Sequence, residues 1–185
     1  MADRNNHYEA AFEAYLRALR LPYIPSEENR RSLLADGSTI KNFDFIVTVP
    51  GNNSWLIDVK GRRFPGGQKN HTYWKQWSVF DDLIGMRTWE TLFGRGFRGL
   101  FVFAYQMVGC KSPVPPEKLF LFRKRLYAFI GVRFAEYLPE ARLISPRWNT
   151  YSMPSRRFRQ LARPFDEIIA QDGGQDADCR MKNEE

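Results

Sequence analysis

The chain has 185 residues, of which 43% are hydrophobic and 15% aromatic, and this composition excludes an intrinsically disordered protein. The net charge of +7 is unevenly distributed, because residues 1–60 hold 7 basic and 8 acidic groups whereas residues 61–170 hold 19 and 8. This asymmetry favours a polyanionic partner, and a generally basic soluble surface is the alternative.

Length predicts one domain, at residues 1–170, followed by a polar, disordered tail at residues 171–185. No apolar run approaches the ~20 residues that cross a bilayer. The first residues contain no apolar segment of the signal-peptide type, so a cytoplasmic location is expected.

The first predicted element is an amphipathic helix from Tyr8 to about Leu19, which Pro22 closes. Tyr23–Pro25 then reads as a short extended piece that leads into a polar segment. A hairpin follows, with apolar residues alternating on both strands around a turn at Pro50–Asn52. If that loop has three residues, residue 49 pairs with 53 and Asp44 pairs with Asp58, so both carboxylates share a face. A four-residue loop would put them on opposite faces.

The segment Gly61–Thr72 is polar and glycine-containing, and we interpret it as a loop. Ser78 is a candidate cap for a helix that runs to about Phe93, and an apolar run at Leu100–Tyr105 predicts a buried strand after it. The strand–helix–strand order indicates a right-handed crossover between parallel strands. Asp81 and Asp82 lie in the first turn of the helix, where they either compensate the helix dipole or assist the site described below.

The C-terminal part predicts a second hairpin and further short elements. The expected elements are strands Leu119–Phe122 and Leu126–Val132 around a basic turn, a short helix near Phe134–Leu138, an extended piece at Trp148–Met153, and a last helix from Ser155 to about Ala170.

The first hairpin carries Asp44, Asp58 and Lys60 among apolar residues. Burying such charges costs several kcal/mol unless they are paired or hold a metal, so their position suggests a site. Carboxylate oxygens are the ligands that Mg²⁺ prefers, and a bound Mg²⁺ lowers the pKa of a nucleophilic water. The alternative is an edge hairpin with solvated side chains.

Asp44 on one strand, followed by Asp58-Val59-Lys60 on the next and preceded by an acidic helix, resembles the core of the PD-(D/E)xK metal-dependent nucleases. The resemblance implies an α/β fold with a restriction-endonuclease-like core, a mixed central β-sheet flanked by helices, to which the C-terminal β-hairpin and helix are added. It implies hydrolysis of phosphodiester bonds in DNA or structured nucleic acid, with Mg²⁺ or Mn²⁺ as cofactor. A non-catalytic nucleic-acid-binding or structural domain on the same fold is the alternative.

The resemblance also implies roles for individual residues. The metal would be held by Asp44, Asp58 and the Val59 carbonyl, and Lys60 would orient the attacking water or stabilise the phosphate. In several nucleases of this fold, Holliday-junction resolvases among them, a first-helix glutamate completes the metal site. Glu9 fits that position better than Glu13, so the implied catalytic set is Glu9, Asp44, Asp58 and Lys60.

The segment His7–Glu13 resembles the signature of a little-characterised bacterial family called HYExAFE, and segments up to Phe165 are also similar to it. The name of that family records a sequence motif, so the resemblance to it implies no activity. His7 is a candidate second metal ligand or water-positioning base, and the alternative is a helix cap or a packing residue.

Basic and aromatic residues follow the site directly along the chain. Such a mixture binds phosphates and stacks unpaired bases, and the alternative is that the aromatic side chains belong to the core. We therefore expect nucleic acid, principally DNA, as the partner, and a homodimer is consistent with a nuclease of this size. The candidate contacts are Arg62, Arg63, Lys69 and Lys75, interleaved with Tyr73, Trp74 and Trp77.

Overall fold

A computed structural model gives the structure of the protein and describes residues 6–27, 31–49, 53–66 and 74–171. The α-helices are α1 His7–Ala18, α2 Phe80–Phe93, α3 Phe134–Tyr137 and α4 Ser155–Leu161, and residues 165–171 are also helical. The strands are β1 Tyr23–Pro25, β2 Arg31–Leu33, β3 Thr39–Lys41, β4 Phe45–Val49, β5 Asn53–Phe64, β6 Ser78–Val79, β7 Phe97–Met107, β8 Phe120–Phe122, β9 Arg125–Arg133, β10 Arg142–Ser145, β11 Thr150–Ser152 and β12 Arg163–Pro164. Short 3₁₀ turns lie at Pro116–Lys118 and Leu138–Glu140.

The centre of the molecule is a seven-stranded mixed sheet with the order β1-β4-β5-β7-β9-β12, in which β8 also pairs with β9. Strands β1, β4 and β5 are antiparallel, and β7 runs parallel to β5 after the α2 crossover. Smaller sheets are formed by β10-β11-β6 and by β2-β3. The predicted fold class, a mixed central sheet flanked by helices, is confirmed.

The two faces of β5 carry different neighbours because successive side chains of a strand point to opposite faces. Ile57 and Val59 are buried in a cluster with Phe12 of α1, and residues 165–169 contribute to the same cluster. Leu56 is buried on the other face, in a cluster that includes Leu83 of α2. Asp58 and Lys60 therefore lie on the face that α2 covers.

Helix α1 approaches β5 closely at Gly61. A Cβ atom at this position would lie 2.2 Å from Cδ2 of Tyr8, far inside van der Waals contact. Gly61 is thus required by the packing of α1 on the sheet, two residues beyond the proposed metal-binding segment.

Of the two registers considered for the first hairpin, the structure has that of the three-residue loop, since Val49 pairs with Asn53 and Phe45 pairs with Ile57. The turn residues 50–52 lie outside the described part of the chain. The second hairpin is also confirmed, with Phe122 opposite Arg125. Its two-residue turn has positive φ values of 46° at Arg123 and 63° at Lys124, the geometry of a type I′ turn.

Three local predictions were wrong. The polar segment after Lys60 does not start as a loop, because β5 continues to Phe64 alongside β7. Ser78 is not the cap of α2, because it pairs with Tyr151 of β11 and the helix begins at Phe80. The last helix is broken after Leu161, because Arg163 and Pro164 pair with β9, and a residue before proline is disfavoured in helical geometry.

The described part of the chain has no helix that is long and apolar enough to cross a membrane. The predicted tail lies outside the described residues apart from Gln171, which is helical.

Candidate active site between β5 and α2

Asp44 is tied directly to the strand that carries Asp58. Its backbone amide donates a hydrogen bond to the Ile57 carbonyl at 2.8 Å, and its Oδ2 accepts one from the Val59 amide at 2.6 Å. Continuing the Phe45–Ile57 pairing by one residue sets Asp44 opposite Asp58. The sheet thus sets the two predicted aspartates opposite each other on neighbouring strands, and both residues are buried.

Lys60 lies two residues after Asp58 and on the same face of β5. Its Nζ contacts Oδ2 of Asp58 at 2.6 Å and Oδ2 of Asp82 at 2.7 Å. The side chains of Lys60, Asp58 and Asp82 are 9%, 7% and 3% exposed, so the ammonium group is held between two carboxylates with little solvent screening.

Asp82 is the centre of a wider network. Its Oδ1 accepts a hydrogen bond from Nζ of Lys41 at 2.6 Å, and its Oδ2 accepts from the Ser78 hydroxyl at 2.6 Å and from the Val79 amide at 3.0 Å. The bond to Val79 satisfies a backbone donor at the N-terminus of α2, as a capping residue does. Asp82 therefore both caps α2 and fixes two lysine side chains.

Lys41 is itself held by α2. The Trp89 indole donates to its carbonyl oxygen at 2.9 Å, and a Cβ atom at Gly85 would lie 3.0 Å from that oxygen. The small residue at Gly85 lets the helix approach the end of β3, which brings the Lys41 ammonium to Asp82.

The two acidic residues of the network respond differently to this environment. Burial raises the pKa of the Asp58 carboxyl, Lys60 opposes this effect, and the pKa remains above its usual value. Burial also acts on Asp82, but the Lys60 and Lys41 ammonium groups outweigh it and hold the pKa of Asp82 well below its usual value. Burial lowers the pKa of Lys41, but Asp58 and Asp82 outweigh it, so that pKa lies above its usual value. The structure thus favours the charged form of Asp82 and disfavours that of Asp58.

A cavity of about 10 Å³ borders this network, lined among others by Lys41, Phe43, Asp58 and Asp82. That volume holds about one water molecule, and the carboxylate and ammonium groups supply the polar partners that such a water requires.

The three predicted residues of the first helix have other surroundings. The buried apolar residues of α1, Ala11, Phe12 and Leu16, pack on the opposite face of the sheet from Asp58 and Lys60. Glu9 is buried and accepts a hydrogen bond from the Asn6 side chain. His7 Nδ1 lies 2.8 Å from the Tyr127 hydroxyl, and burial lowers its pKa. Glu13 accepts hydrogen bonds from Arg17 at 2.7 Å and from Tyr23 at 2.9 Å. The contacts of His7 agree with the packing alternative.

Within residues 6–27, 31–49, 53–66 and 74–171, no group of three or more His, Cys, Asp or Glu side chains is placed to hold a metal ion. The predicted group of three acids, with Glu9 beside Asp44 and Asp58, is therefore not assembled in this structure. Asp44 and Asp58 are a pair of hard oxygen donors, and Mg²⁺ commonly uses one or two carboxylates while keeping several waters. The donor chemistry of the pair fits such an ion.

The predicted nucleic-acid contacts fall into different environments. The Arg62 guanidinium lies 3.8 Å from the centre of the Trp77 ring and donates to the Trp77 carbonyl. Burial lowers the pKa of Arg62. Arg63 is exposed and Lys75 is half-buried, whereas Lys69 and Tyr73 lie outside the described residues. The half-buried Trp74 ring packs edge-on against Phe64, Tyr105 and Phe158, so it lies against the core.

Sequence reasoning did not select Lys41 and left Asp82 undecided. Lys41 is separated from Asp82 by 41 positions, and only the packing of α2 against β3 joins them. The sequence contains one signal for this residue: Lys41 lies three positions before Asp44, just ahead of the apolar run Phe45–Val49.

No known protein-family model matches the sequence, and no curated protein matches it. The resemblance to the HYExAFE family therefore has no support from these comparisons. Among solved structures, the chain is similar to a Holliday junction resolvase of Archaeoglobus fulgidus, an archaeal hyperthermophile. The match has a TM-score of 0.49 and 11% identity, and it covers 88% of this chain and 98% of the resolvase.

Proposed function

We propose that this protein is a divalent-metal-dependent nuclease that hydrolyses phosphodiester bonds of DNA or of structured nucleic acid. The observation that carries the proposal is the hydrogen bond from the Val59 amide to Asp44, which joins Asp44 to the Asp58-Val59-Lys60 segment. Together with the Lys60–Asp58 ion pair, it supports three of the four members of the catalytic set that the nuclease resemblance implies.

In this proposal Asp44 and Asp58 would hold Mg²⁺ or Mn²⁺, together with the Val59 carbonyl. When bound, the ion supplies a water of lowered pKa and neutralises charge on the phosphate. Glu9 stays a predicted ligand on the strength of the resemblance alone.

The remaining chemistry belongs to side chains of the chain. Lys60 presents its ammonium group beside Asp58, where it would donate hydrogen bonds to the attacking water or to a phosphate oxygen. Asp82 contacts the same ammonium at 2.7 Å, and in this proposal it is a positioning residue that holds Lys60 in place. Burial raises the pKa of Asp58 and so disfavours its charged form. A metal ion bound to this carboxylate would offset the cost of the buried charge.

The basic half of the chain supports a nucleic-acid substrate. Residues 61–170 carry 19 basic and 8 acidic groups, a balance of +11, and this part follows the carboxylates directly. Such a surface concentrates a polyanion beside an acidic pocket, which still needs cations to accept a phosphate.

The test is cleavage of linear, branched and single-stranded DNA with Mg²⁺ or Mn²⁺. We expect cleavage by the native protein, loss of it with EDTA, and loss in Asp58→Asn. Asp81→Asn is the matched control, because Asp81 neighbours Asp82 but is 60% exposed and bonded to Arg31. Absence of cleavage on every substrate with both metals would overturn the proposal.

One observation favours a second candidate, a nucleic-acid-binding domain without turnover. Lys60 is paired with Asp58 and Asp82, and Lys41 is paired with Asp82, so both carboxylates have a cationic partner without a metal. This candidate predicts salt-dependent DNA binding that neither EDTA nor Asp58→Asn changes.

A further inference from the structure

A second concave surface lies beside the candidate active site. It is a cleft of about 360 Å³ lined by Trp77, Val79, Ile144, Ser145, Trp148 and Thr150. Its volume falls within the range of about 300–1,000 Å³ that is typical of ligand pockets. We call it the Trp77–Trp148 cleft.

The walls of this cleft are aromatic and accessible. Trp148 is 68% exposed and Ile144 is 53% exposed, while Trp77 is 37% exposed. Burying so much apolar surface would be favourable, so its exposure on a basic protein indicates a binding surface rather than incidental packing.

Local backbone structure holds Trp148 and Ile144 in these positions. The β10–β11 register shifts between Leu143 and Ser145, so Ile144 is an extra residue at an irregular point of the ladder. Trp148 sits in the turn before β11, where Asn149 has φ 46°. The Asn149 carbonyl accepts a hydrogen bond from the Phe80 amide at 2.9 Å, which ties this turn to the start of α2.

The cleft is also connected to the charged network. Trp77 and Val79 flank Ser78, whose hydroxyl donates to Asp82, and the Val79 amide donates to Asp82 as well. Arg62, two residues after Lys60 on β5, stacks on the Trp77 ring. A ligand in the cleft would therefore lie next to the strand that carries Asp58 and Lys60.

Positive charge accompanies the aromatic rings. The Arg147 guanidinium lies 5.2 Å from the centre of the Trp148 ring, and the Arg62 guanidinium lies 3.8 Å from that of Trp77. A partner that offers a flat aromatic group together with negative charge would satisfy both features. Nucleic acid has this chemistry, because base–aromatic stacking and phosphate–arginine contacts act together on a single strand.

We infer that the Trp77–Trp148 cleft binds an unpaired nucleobase of a single strand, with the exposed Arg147 facing a neighbouring phosphate. The bases of an intact duplex have both faces covered by their neighbours, so only a single-stranded or flipped base would enter the cleft. This inference rests on the proposed function for its substrate class, and it specifies that class as nucleic acid with unpaired bases next to the cleavage point.

The test is equilibrium binding in EDTA, where no metal-dependent cleavage occurs, measured by fluorescence anisotropy. The probes are a labelled oligothymidylate, an abasic strand of the same length, and a duplex. The variants are Trp148→Ala, the conservative Trp148→Phe, and Leu121→Ala, which removes an apolar side chain, 66% exposed, from β8. Circular dichroism verifies that each variant is folded.

We expect Trp148→Ala to weaken oligothymidylate binding by about 5- to 150-fold, the range of a lost base–aromatic stack. The abasic strand should bind both proteins equally, Trp148→Phe should retain most of the affinity, and Leu121→Ala should match the native protein. If these results hold while no substrate is cleaved with metal, the proposed nuclease function fails and the base-binding cleft stands.

Other outcomes would overturn the inference. Unchanged oligothymidylate affinity in Trp148→Ala would exclude stacking on this ring. An equal loss for the abasic strand would exclude base stacking as the source of the affinity, because that strand has no bases to stack. A native dimer that becomes a monomer in Trp148→Ala, with nucleic-acid binding intact, would identify the cleft as a contact between copies of the chain.

Discussion

The opposite pKa shifts of Asp58 and Asp82 predict opposite effects of two isosteric substitutions. Asp82→Asn removes a charged group that the structure favours, since Asp82 contacts Lys41 and Lys60 at 2.6 and 2.7 Å and is 3% exposed. Breaking a buried ion pair by removing one partner costs about 3–5 kcal/mol. We expect the lower end, about 3 kcal/mol, because Lys60 keeps its contact with Asp58.

Asp58→Asn removes a charged group that the structure disfavours, because burial holds the pKa of Asp58 above its usual value. Lys60 retains Asp82 as its partner. The free energy of unfolding should therefore change by less than about 1 kcal/mol or should increase, even though this variant is expected to lose cleavage. If removal of this buried carboxylate leaves the stability unchanged, the charge serves function rather than folding.

The assay is urea unfolding at neutral pH, supported by thermal unfolding. A loss of about 3 kcal/mol lowers the Tm of a domain of this size by about 6–12 °C. Asp81→Asn is the control and should stay within about 0.5 kcal/mol of the native protein. If Asp58→Asn is destabilised more than Asp82→Asn, the assignment of the favoured and disfavoured charges is refuted.

Three further predictions concern the surroundings of the site. Lys41→Met should cost about 1.5–3 kcal/mol in urea unfolding, because it removes a charged hydrogen bond to Asp82; an unchanged stability would exclude this contact. Gly61→Ala should cost about 1–3 kcal/mol or more, because its Cβ meets the Tyr8 ring, whereas Gly109→Ala, with an ordinary contact at 3.6 Å, should be near neutral; equal effects would contradict the close approach. The depressed pKa of Asp82 adds stability that is present above its unfolded pKa of about 4 and is lost as pH falls toward its folded pKa. In Asp82→Asn the acid-side slope of unfolding free energy should therefore be smaller by up to about 1.4 kcal/mol per pH unit, and an unchanged slope would contradict this origin.

The elements that could be predicted from the sequence are those whose pattern is local. Alternating apolar residues identified both strands of the first hairpin, and the observed pairing of Val49 with Asn53 selects the register that sets Asp44 opposite Asp58. The second hairpin was predictable for the same reason, and its basic turn at Arg123 and Lys124 is the type I′ connection. Strand periodicity alone places Asp58 and Lys60 on one face, whereas the position of Asp44 beside them depends on the loop length.

The features that could not be predicted depend on contacts between distant segments. Ser78 has the residue type of a helix cap, but its pairing with Tyr151 of β11 makes it part of a strand, and Asp82 caps the helix instead. The break in the last helix depends on β12 docking against β9. The Lys41–Asp82 ion pair joins residues 41 positions apart, so no spacing rule would select it.

The measurement that tests the central claim most directly is binding of Mn²⁺ to the folded protein. Electron paramagnetic resonance measures it as a decrease in the signal of the free ion. If Asp44 and Asp58 hold a divalent metal, the native protein and Asp81→Asn should bind Mn²⁺ equally, and Asp58→Asn should lose that binding while remaining folded. Equal binding by the native protein and Asp58→Asn, or no binding by either with nucleic acid present, would contradict the account.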